Sequence, residues 1–328
     1  NRESFNAALD IAEKIAEDYF VPIRKTVDLN QPDWDGEKVV MIPEIKIAYD
    51  AVAEAGLICP DQSYEMGGMQ LPLVVTSCAM GYITAAASTT NGFHALTAAN
   101  ANLLETHASE EQIETWVPRL RTGEFAGTMA LSEPQAGSSL ADMRTKAIAQ
   151  DDGTYRIFGN KIWISGGDHE LSSNIVHAVL ARIEGAPPGV KGISMFICPK
   201  FLLNEDGSVG ARNDVQLAGL FHKMGGRGQT STALNFGEGE GAVAYLVGEP
   251  HQGLRYMFHM MNEARVMVGT SGATLAMAGY QYSLDYAKER PQGRKPSSKD
   301  PLADPVMLIE HADVRRMLLA QKAYAEGA

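Results

Sequence analysis

Apolar positions near the start of the chain recur at intervals of three and four. Phe5, Ala8, Leu9, Ala12, Ile15, Ala16 and Tyr19 fall on one stripe, with Glu13, Lys14, Glu17 and Asp18 opposite. That spacing predicts an amphipathic helix over 4–20. Residues 28–38 read as a polar connector. Pro43 stands at a tolerated first-turn position of a second helix, which Gly56 stops. Residues 61–69 are a loop ending in Gly67-Gly68. From Leu71 to His107 the chain is rich in Ala, Thr, Ser and Gly. It reads as two closely packed helices broken near Thr90-Asn91-Gly92. Ser109 and Gln112 make a Ser-x-x-Gln capping box, opening a short helix through Trp116 that ends at Gly123. His94 and His107 are isolated and read as structural.

After Gly123 the period changes. Tyr155-Arg156-Ile157-Phe158 follows the turn Asp151-Asp152-Gly153 as the second arm of a hairpin. Short strand-like runs bounded by Gly or Pro follow at 175–181, 193–198, 233–236 and 242–247. Strands at short intervals without intervening helices predict an antiparallel barrel or sandwich, and no Gly-x-Gly-x-x-Gly follows a strand. Helical spacing returns at Gly253 and runs through Leu254, Met257, Phe258, Met261, Ala264, Val268, Leu275, Tyr282 and Tyr286 to about Arg290. Gly269, Gly272 and Gly279 inside it each cost about 1 kcal/mol against Ala, which favours a tightly packed helix. Residues 291–305 hold four prolines and read as an exposed insertion, with a further helix starting near Pro305. The fold class expected is therefore α+β and multidomain: an N-terminal helical domain over 1–123, a middle antiparallel β-barrel or sandwich over 124–248, and a C-terminal helical bundle begun over 249–328 and incomplete at Ala328.

Composition narrows the function classes. With 328 residues, 45% of them hydrophobic, there is material for a large core and two or three domains. A net charge of −12 without a sustained basic run argues against a nucleic-acid surface. Cys59, Cys78 and Cys198 are odd in number and lack Cys-x-x-Cys spacing. They speak against structural disulfides and a zinc site, and fit a reducing compartment. No apolar run reaches the roughly 18–20 residues needed to span a bilayer. Asn1-Arg2-Glu3 leads straight into a helix rather than a signal peptide. No membrane contact and a cytoplasmic location are expected.

Two stretches carry candidate chemistry. Residues 128–140 read Thr-Met-Ala-Leu-Ser-Glu-Pro-Gln-Ala-Gly-Ser-Ser-Leu. Pro134 fixes its own φ and pushes Glu133 out of the helical region. Gly137 admits close approach of a ligand, and the flanking hydroxyls and N–H groups can converge on an anion. In Gly159-Asn160-Lys161-Ile162-Trp163-Ile164-Ser165-Gly166, Trp163 and Ser165 lie two apart on a strand-like run. They would face one surface, an aromatic wall beside a hydroxyl, which suits a planar heteroaromatic ring. Taken singly, an ordinary serine-glycine loop and a core tryptophan with a chance serine stand as plain alternatives.

Together the stretches resemble the acyl-CoA dehydrogenase flavoprotein family. The resemblance rests on Ala130-Leu131-Ser132-Glu133-Pro134-Gln135-Ala136-Gly137-Ser138-Ser139 and Gly159-Asn160-Lys161-Ile162-Trp163-Ile164-Ser165, then on Lys223-Met224-Gly225-Gly226-Arg227 and Tyr286-Ala287-Lys288-Glu289-Arg290, in family order over most of the chain. It is greatest to the large bacterial branch typified by 3-(methylthio)propionyl-CoA dehydrogenase. The resemblance implies bound FAD and α,β-dehydrogenation of an acyl-CoA thioester to the trans-2-enoyl-CoA. It also implies electrons passed to an electron-transfer flavoprotein, and a homodimer or dimer of dimers. Carried over by position, it implies cofactor contacts at Met129, Leu131, Ser132, Gly137, Ser138, Trp163, Ile164, Ser165, Arg290 and Gln292, the last two toward a neighbouring subunit's FAD. It implies substrate contacts at Ser138, Asn262 and Arg265, and no metal. An acyl-CoA oxidase and a non-dehydrogenating flavin-binding relative associated with DNA are the alternatives, the acidic balance disfavouring the second. The chain departs from the family pattern at Ser139, where an Asp is usual, and at Gly293, where an aromatic is usual. Some members carry the base immediately before the residue matched by Arg265; here Ala264 stands there and Glu263 is one step, about 100° of helix, away. The catalytic base is therefore unassigned and expected beyond Ala328.

Overall fold

A computed structural model describes residues 1–88, 90 and 92–328. The chain forms two compact bodies, Asn1–Val266 and Met267–Ala328. The first body opens with α1 (Arg2–Ile15), capped by the Asn1 side chain, which accepts from the Ser4 N–H at 3.0 Å. A π turn, Ala16–Phe20, continues it, and Ala8, Ala12, Ile15, Ala16 and Phe20 are buried along the expected stripe. After α2 (Arg24–Leu29), the polar connector contains a short hairpin of β1 (Asp33–Trp34) and β2 (Val39–Val40). Helix α3 (Pro43–Glu54) begins at its proline, and Gly56 at φ 69° ends the turn after it. Helices α4 (Leu73–Ala87) and α5 (Gly92–His107) follow. The break expected near Thr90-Asn91-Gly92 includes Asn91, which lies outside the described residues. The capping box of Ser109 and Gln112 opens α6 (Glu110–Arg121).

The β-region holds β3 (Phe125–Ala130), β4 (Lys146–Ala149), β5 (Tyr155–Ser165), β6 (Asn174–Ile183) and β7 (Ile193–Pro199). Then come β8 (Phe201–Leu203), β9 (Val209–Arg212), β10 (Val215–Leu220), β11 (Ser231–Phe236) and β12 (Ala242–Leu246). Strands β4, β5, β12, β7 and β6 pair in a closed ring, the last step returning from β6 to β4. Closure removes edges from that part of the sheet. The ring and its extensions are largely antiparallel, but β3 and β4 both join β6 in parallel. The Asp151-Asp152-Gly153 turn joins β4 to β5, with Ala149 opposite Tyr155. Inside sit Ile157, Ile164, Val179, Phe196, Leu234 and Phe236. An N-terminal helical part, a β-part and C-terminal helices thus follow in the order expected.

The small residues of α4 and α5 serve a different purpose from the one expected. Helix α4 packs mainly on α1 and the π turn, while α5 packs on α6 and β3. The reason is polar as well as steric. Thr97 Oγ1 accepts from the Gly127 N–H at 3.0 Å, and the Asn100 amide donates to the Thr128 and Val176 carbonyls, each at 3.0 Å. A Cβ on Gly127 would stand 2.5 Å from Asn100 Cβ, so glycine there lets the helix lie on the sheet.

Helix α7 (Gly253–Glu289) runs on from the first body into the second. An added Cβ would meet nothing within 4 Å at Gly269, Gly272 or Gly279, so the tight packing expected of those glycines is not made by the described residues. In the second body the proline-rich insertion is exposed and its ends are tied together. Gln292 N–H donates to Val306 O at 2.9 Å, Val306 N–H to Gly293 O at 3.0 Å, and Leu308 N–H to Arg290 O at 2.9 Å. Because that pairing and a 3-10 turn (Leu308–Glu310) intervene, α8 (Ala312–Gly327) starts later than Pro305. Among the described residues no helix is long and apolar enough to cross a membrane, and no group of three or more His, Cys, Asp or Glu is placed to hold a metal ion.

The start of α7 is the point least tolerant of added volume. A Cβ on Gly253 would lie 2.2 Å from the Ser194 carbonyl carbon, and Met257 and Met260 beyond it are fully buried. Gly253→Ala is expected to destabilise the protein by about 1–3 kcal/mol, the usual penalty of overpacking. Urea unfolding checks this; an unchanged midpoint would mean that α7 can move off β7 freely.

Candidate cofactor site

The first candidate loop leaves β3 at Ala130 and turns back at once. Glu133 N–H donates to Ala136 O at 2.8 Å and Ala136 N–H to Glu133 O at 3.1 Å, with Pro134 and Gln135 in the turn. Gly137, Ser138 and Ser139 are exposed beyond it, and the space where a Gly137 Cβ would stand is open. Glu133 itself is buried. Its Oε1 accepts from Lys161 Nζ at 3.0 Å and from Thr145 N–H and Oγ1 at 3.0 and 2.5 Å. Its Oε2 accepts from Arg144 N–H at 2.7 Å and from Gln135 Nε2 at 2.5 Å. Burial alone would raise the Glu133 carboxyl, but the Lys161 charge, the Thr145 hydroxyl and the Arg144 N–H outweigh it and hold the group below 4.5. Lys161 is 0% exposed, and burial pulls its ammonium down to about 8 against the opposing pull of Glu133.

Lys161 also donates to the Leu131 carbonyl at 2.9 Å, and Ile162 N–H donates to the Ser132 carbonyl at 3.0 Å. Three bonds therefore lock the start of the loop to β5 and bring the two candidate stretches side by side. Trp163 stands there in the left-handed region at φ 60°, 59% exposed, its ring 3.8 Å from that of Phe221. The register explains this: Thr232 pairs with Ile164 but Leu234 with Lys161, a bulge that inserts one extra residue in β5. A bulky residue at positive φ stores roughly 1–3 kcal/mol of strain and persists only where its surroundings dictate it. Trp163 and Ser165 are both exposed, with Ile164 buried between them. The Ile164 side chain belongs to the β-core, its carbonyl accepts from Thr232 Oγ1 at 3.0 Å, and its backbone pairs with Thr232 of β11, so its side chain is not presented beside Trp163 and Ser165.

Sequence reasoning passed over what lies behind this surface. Gly166, at φ 66°, donates its N–H to Thr230 O at 3.0 Å and carries the chain into a buried charged cluster. There Asp168 accepts from Lys200 Nζ at 2.7 Å and from Arg212 at 3.4 Å. His169 and His177 beside it are pushed to about 3 by burial and held neutral, His177 Nδ1 lying 2.7 Å from Thr128 Oγ1. Nothing in the local sequence marks these groups, since their partners come from distant strands. Buried His94, stacked on Tyr49 at 4.5 Å and pushed to about 4 by burial, is structural as expected.

Two further groups of candidates sit on α7 and after it. Arg265 donates to Asn262 Oδ1 at 2.7 Å and lies 5.5 Å over the Phe258 ring, both polar groups exposed. Glu263 faces elsewhere: it accepts from Asn102 at 3.3 and 3.4 Å and lies 3.1 Å from His259 Nε2. Burial raises its carboxyl, while Asn102 and His259 oppose that shift. Arg290 and Gln292, in the second body, are exposed and anchored through their backbones.

The open Gly137 position, the exposed serines of its loop, and an exposed aromatic held beside an exposed hydroxyl fit a ligand with one planar ring and one anionic arm, as FAD has. Helices, a β-part with a closed ring and further helices, with the Ser132 loop tied to β5, define the class of fold. The family model described as "Acyl-CoA dehydrogenase, N-terminal domain" matches residues 7–124, and that described as "Acyl-CoA dehydrogenase, middle domain" matches residues 128–237. The chain belongs to the acyl-CoA dehydrogenase family. It is 40% identical over 98% of its length to a 3-methylmercaptopropionyl-CoA dehydrogenase of Ruegeria pomeroyi, of which it covers 54%. It is 39% identical over 99% of its length to a butyryl-CoA dehydrogenase of Syntrophomonas wolfei, again covering 54%. The chain thus spans about half the length of these curated relatives. The solved butyryl-CoA dehydrogenase of Megasphaera elsdenii superposes with a TM-score of 0.78 at 21% identity, covering 98% of this chain and 76% of that one, and shows the shared fold.

The buried pair makes a sharp stability statement. Glu133→Gln leaves Lys161 without a counter-charge and is expected to destabilise the protein by about 3–5 kcal/mol, whereas Glu133→Gln with Lys161→Met should recover most of that loss. In the parent protein the Glu133 carboxyl lies below its ordinary 4.5, so its contribution is fully present above that pH and is lost as pH falls through the lowered value. Denaturant titrations at pH 7 and across the acid range check both points. A single variant as stable as the parent would show that the pair is not a structural tie.

Proposed function

We propose that the intact protein is an FAD-dependent acyl-CoA dehydrogenase, converting an acyl-CoA thioester to the trans-2-enoyl-CoA and passing electrons to an electron-transfer flavoprotein. The observation that carries this reading is the tie between the loop that begins at Ser132 and the strand that bears Trp163 and Ser165, in a chain about 40% identical to named acyl-CoA dehydrogenases. FAD, when bound, supplies the acceptor for the β-hydrogen as hydride. In this reading Met129, Leu131 and Ser132 form the edge against the ring, and Trp163 walls it beside the Ser165 hydroxyl. Ser138 and the Gly137 backbone serve the pyrophosphate and the CoA arm. Asn262 and Arg265 hold CoA phosphate or ribose, and Arg290 with Gln292 reach the FAD of a neighbouring subunit in a homodimer or dimer of dimers. Arginine suits that task because its fork matches phosphate geometry. The three-part division at 123/124 and 248/249 accompanies this reading, as does a reducing, cytoplasmic setting, for which the free thiols of Cys59, Cys78 and Cys198 speak. The base that removes the α-proton lies in a further segment of the intact protein, since Glu263 is engaged by Asn102 and His259.

Purified intact protein should be yellow and hold FAD non-covalently; a colourless preparation that takes up no FAD on titration overturns the proposal. Reduction by acyl-CoA with a dye, rather than by direct transfer to oxygen, separates it from an oxidase on the same fold. Arg290→Ala should weaken FAD retention more than acyl-CoA binding, and light scattering should give a dimer or tetramer. Glu263→Gln should leave flavin reduction within about tenfold of the parent, a barrier change of about 1.4 kcal/mol at most, where loss of a true base removes about 10²–10⁴-fold.

A further inference from the structure

The contact between Lys161 and the Leu131 carbonyl is not needed to satisfy Glu133, and it acts on a particular peptide. The Leu131 carbonyl and the Ser132 N–H belong to the same amide. Lys161 Nζ donates to that carbonyl at 2.9 Å, the Ser132 carbonyl accepts from Ile162, and the Ser132 N–H donates to no acceptor among the described residues. A cation on an amide oxygen draws electron density from the nitrogen and makes its N–H a stronger donor, the polarisation seen along hydrogen-bond chains. Lys161 is fully buried, so water does not screen this effect. Lys161 touches the Leu131 oxygen directly, while the Glu133 carboxylate lies on the far side of a 3.0 Å contact with the same ammonium, so it offsets the field at that oxygen only in part.

We propose that Lys161 is a positioning residue for the flavin's redox poise. Through the Leu131–Ser132 amide it strengthens a donor offered to the ring, and so favours the electron-rich reduced form over the oxidised one. This rests on the reading of Ser132 as a ring contact. Removing the cation lowers the preference for reduced flavin. Removing the carboxylate together with the cation relieves the buried imbalance but does not restore the cation, so the preference stays low. A pair that only held the loop together would let that double variant return to the parent value.

The test is the midpoint potential of FAD in the intact holoprotein, measured by equilibration with reference dyes at pH 7, for the parent, Lys161→Met and the double variant Glu133→Gln with Lys161→Met. Lys161→Met is expected to lower the ratio of reduced to oxidised FAD affinity about tenfold, about 30 mV for a two-electron couple, and the double variant, which buries no charge, to lower it by the same tenfold. An unmoved potential in Lys161→Met, or a double variant that returns to the parent value, overturns the proposal. Should Lys161→Met fail to fold, the double variant alone carries the test, and an unchanged value overturns the idea. A parent protein that binds no FAD ends both this proposal and the flavin reading. Variants that bind FAD with unmoved potentials remove only this one.

Discussion

The candidate site depends on one buried ion pair. Glu133 and Lys161 are both withdrawn from water, at a desolvation penalty of several kcal/mol per ion. The pair is tolerable because every lone pair of Glu133 is matched: Thr145 and Arg144 supply backbone donors, and Thr145 and Gln135 side-chain donors. One carboxylate thereby joins the turn after β3, the chain entering β4, and the middle of β5. Hydrophobic contacts between these segments would tolerate sliding. An ion pair with directed hydrogen bonds does not, and so it sets the register of the loop on the strand.

A second constraint grows from that register. With Lys161 held inward, strict alternation along β5 would turn Trp163 inward as well. The bulge opposite Thr232 and Leu234 adds a residue, and Trp163 faces out at positive φ while Ile164 returns to the core. The strain is held by order on both sides, by Lys161 below and by Ile164 above. Phe221, from the loop after β10, backs the indole ring. On the other side of β3, the Asn100 amide spans the carbonyls of β3 and β6, fixing the parallel pair whose end delivers the Ser132 turn.

Charge works locally against the global balance. The chain carries a net charge of −12, yet the loop at Gly137–Ser139 presents hydroxyls and no carboxylate, because Ser139 stands where relatives of this type usually have an acid. The one acid in the turn, Glu133, is turned inside and paired with Lys161. An anion brought to this loop would meet neutral donors, and the repulsion from the acidic surface elsewhere is screened by physiological salt within about 8 Å.

The order of helices, strands and helices was legible in the sequence because it depends on short-range periods and on local stop signals. The stripe of α1, the box at Ser109 and Gln112, the turn at Asp151-Asp152-Gly153 and the length of α7 each need only residues within a few positions of one another. The loop residues Ser132 to Ser138 and the strand residues Trp163 and Ser165 were legible as two separate stretches. The sequence did not disclose how they meet, that Lys161 is buried beneath them, or that Trp163 sits at a bulge. Nor did it show that α5 packs on β3 instead of α4, or that β3 lies parallel to β6. Those outcomes join residues far apart in the chain, and they are decided by which faces can be buried together with their polar groups paired. The sequence by itself determined the elements and the chemistry they carry; only the tertiary structure decided which elements are neighbours, because the energy of burial and of paired buried charge exists only once distant segments are in contact.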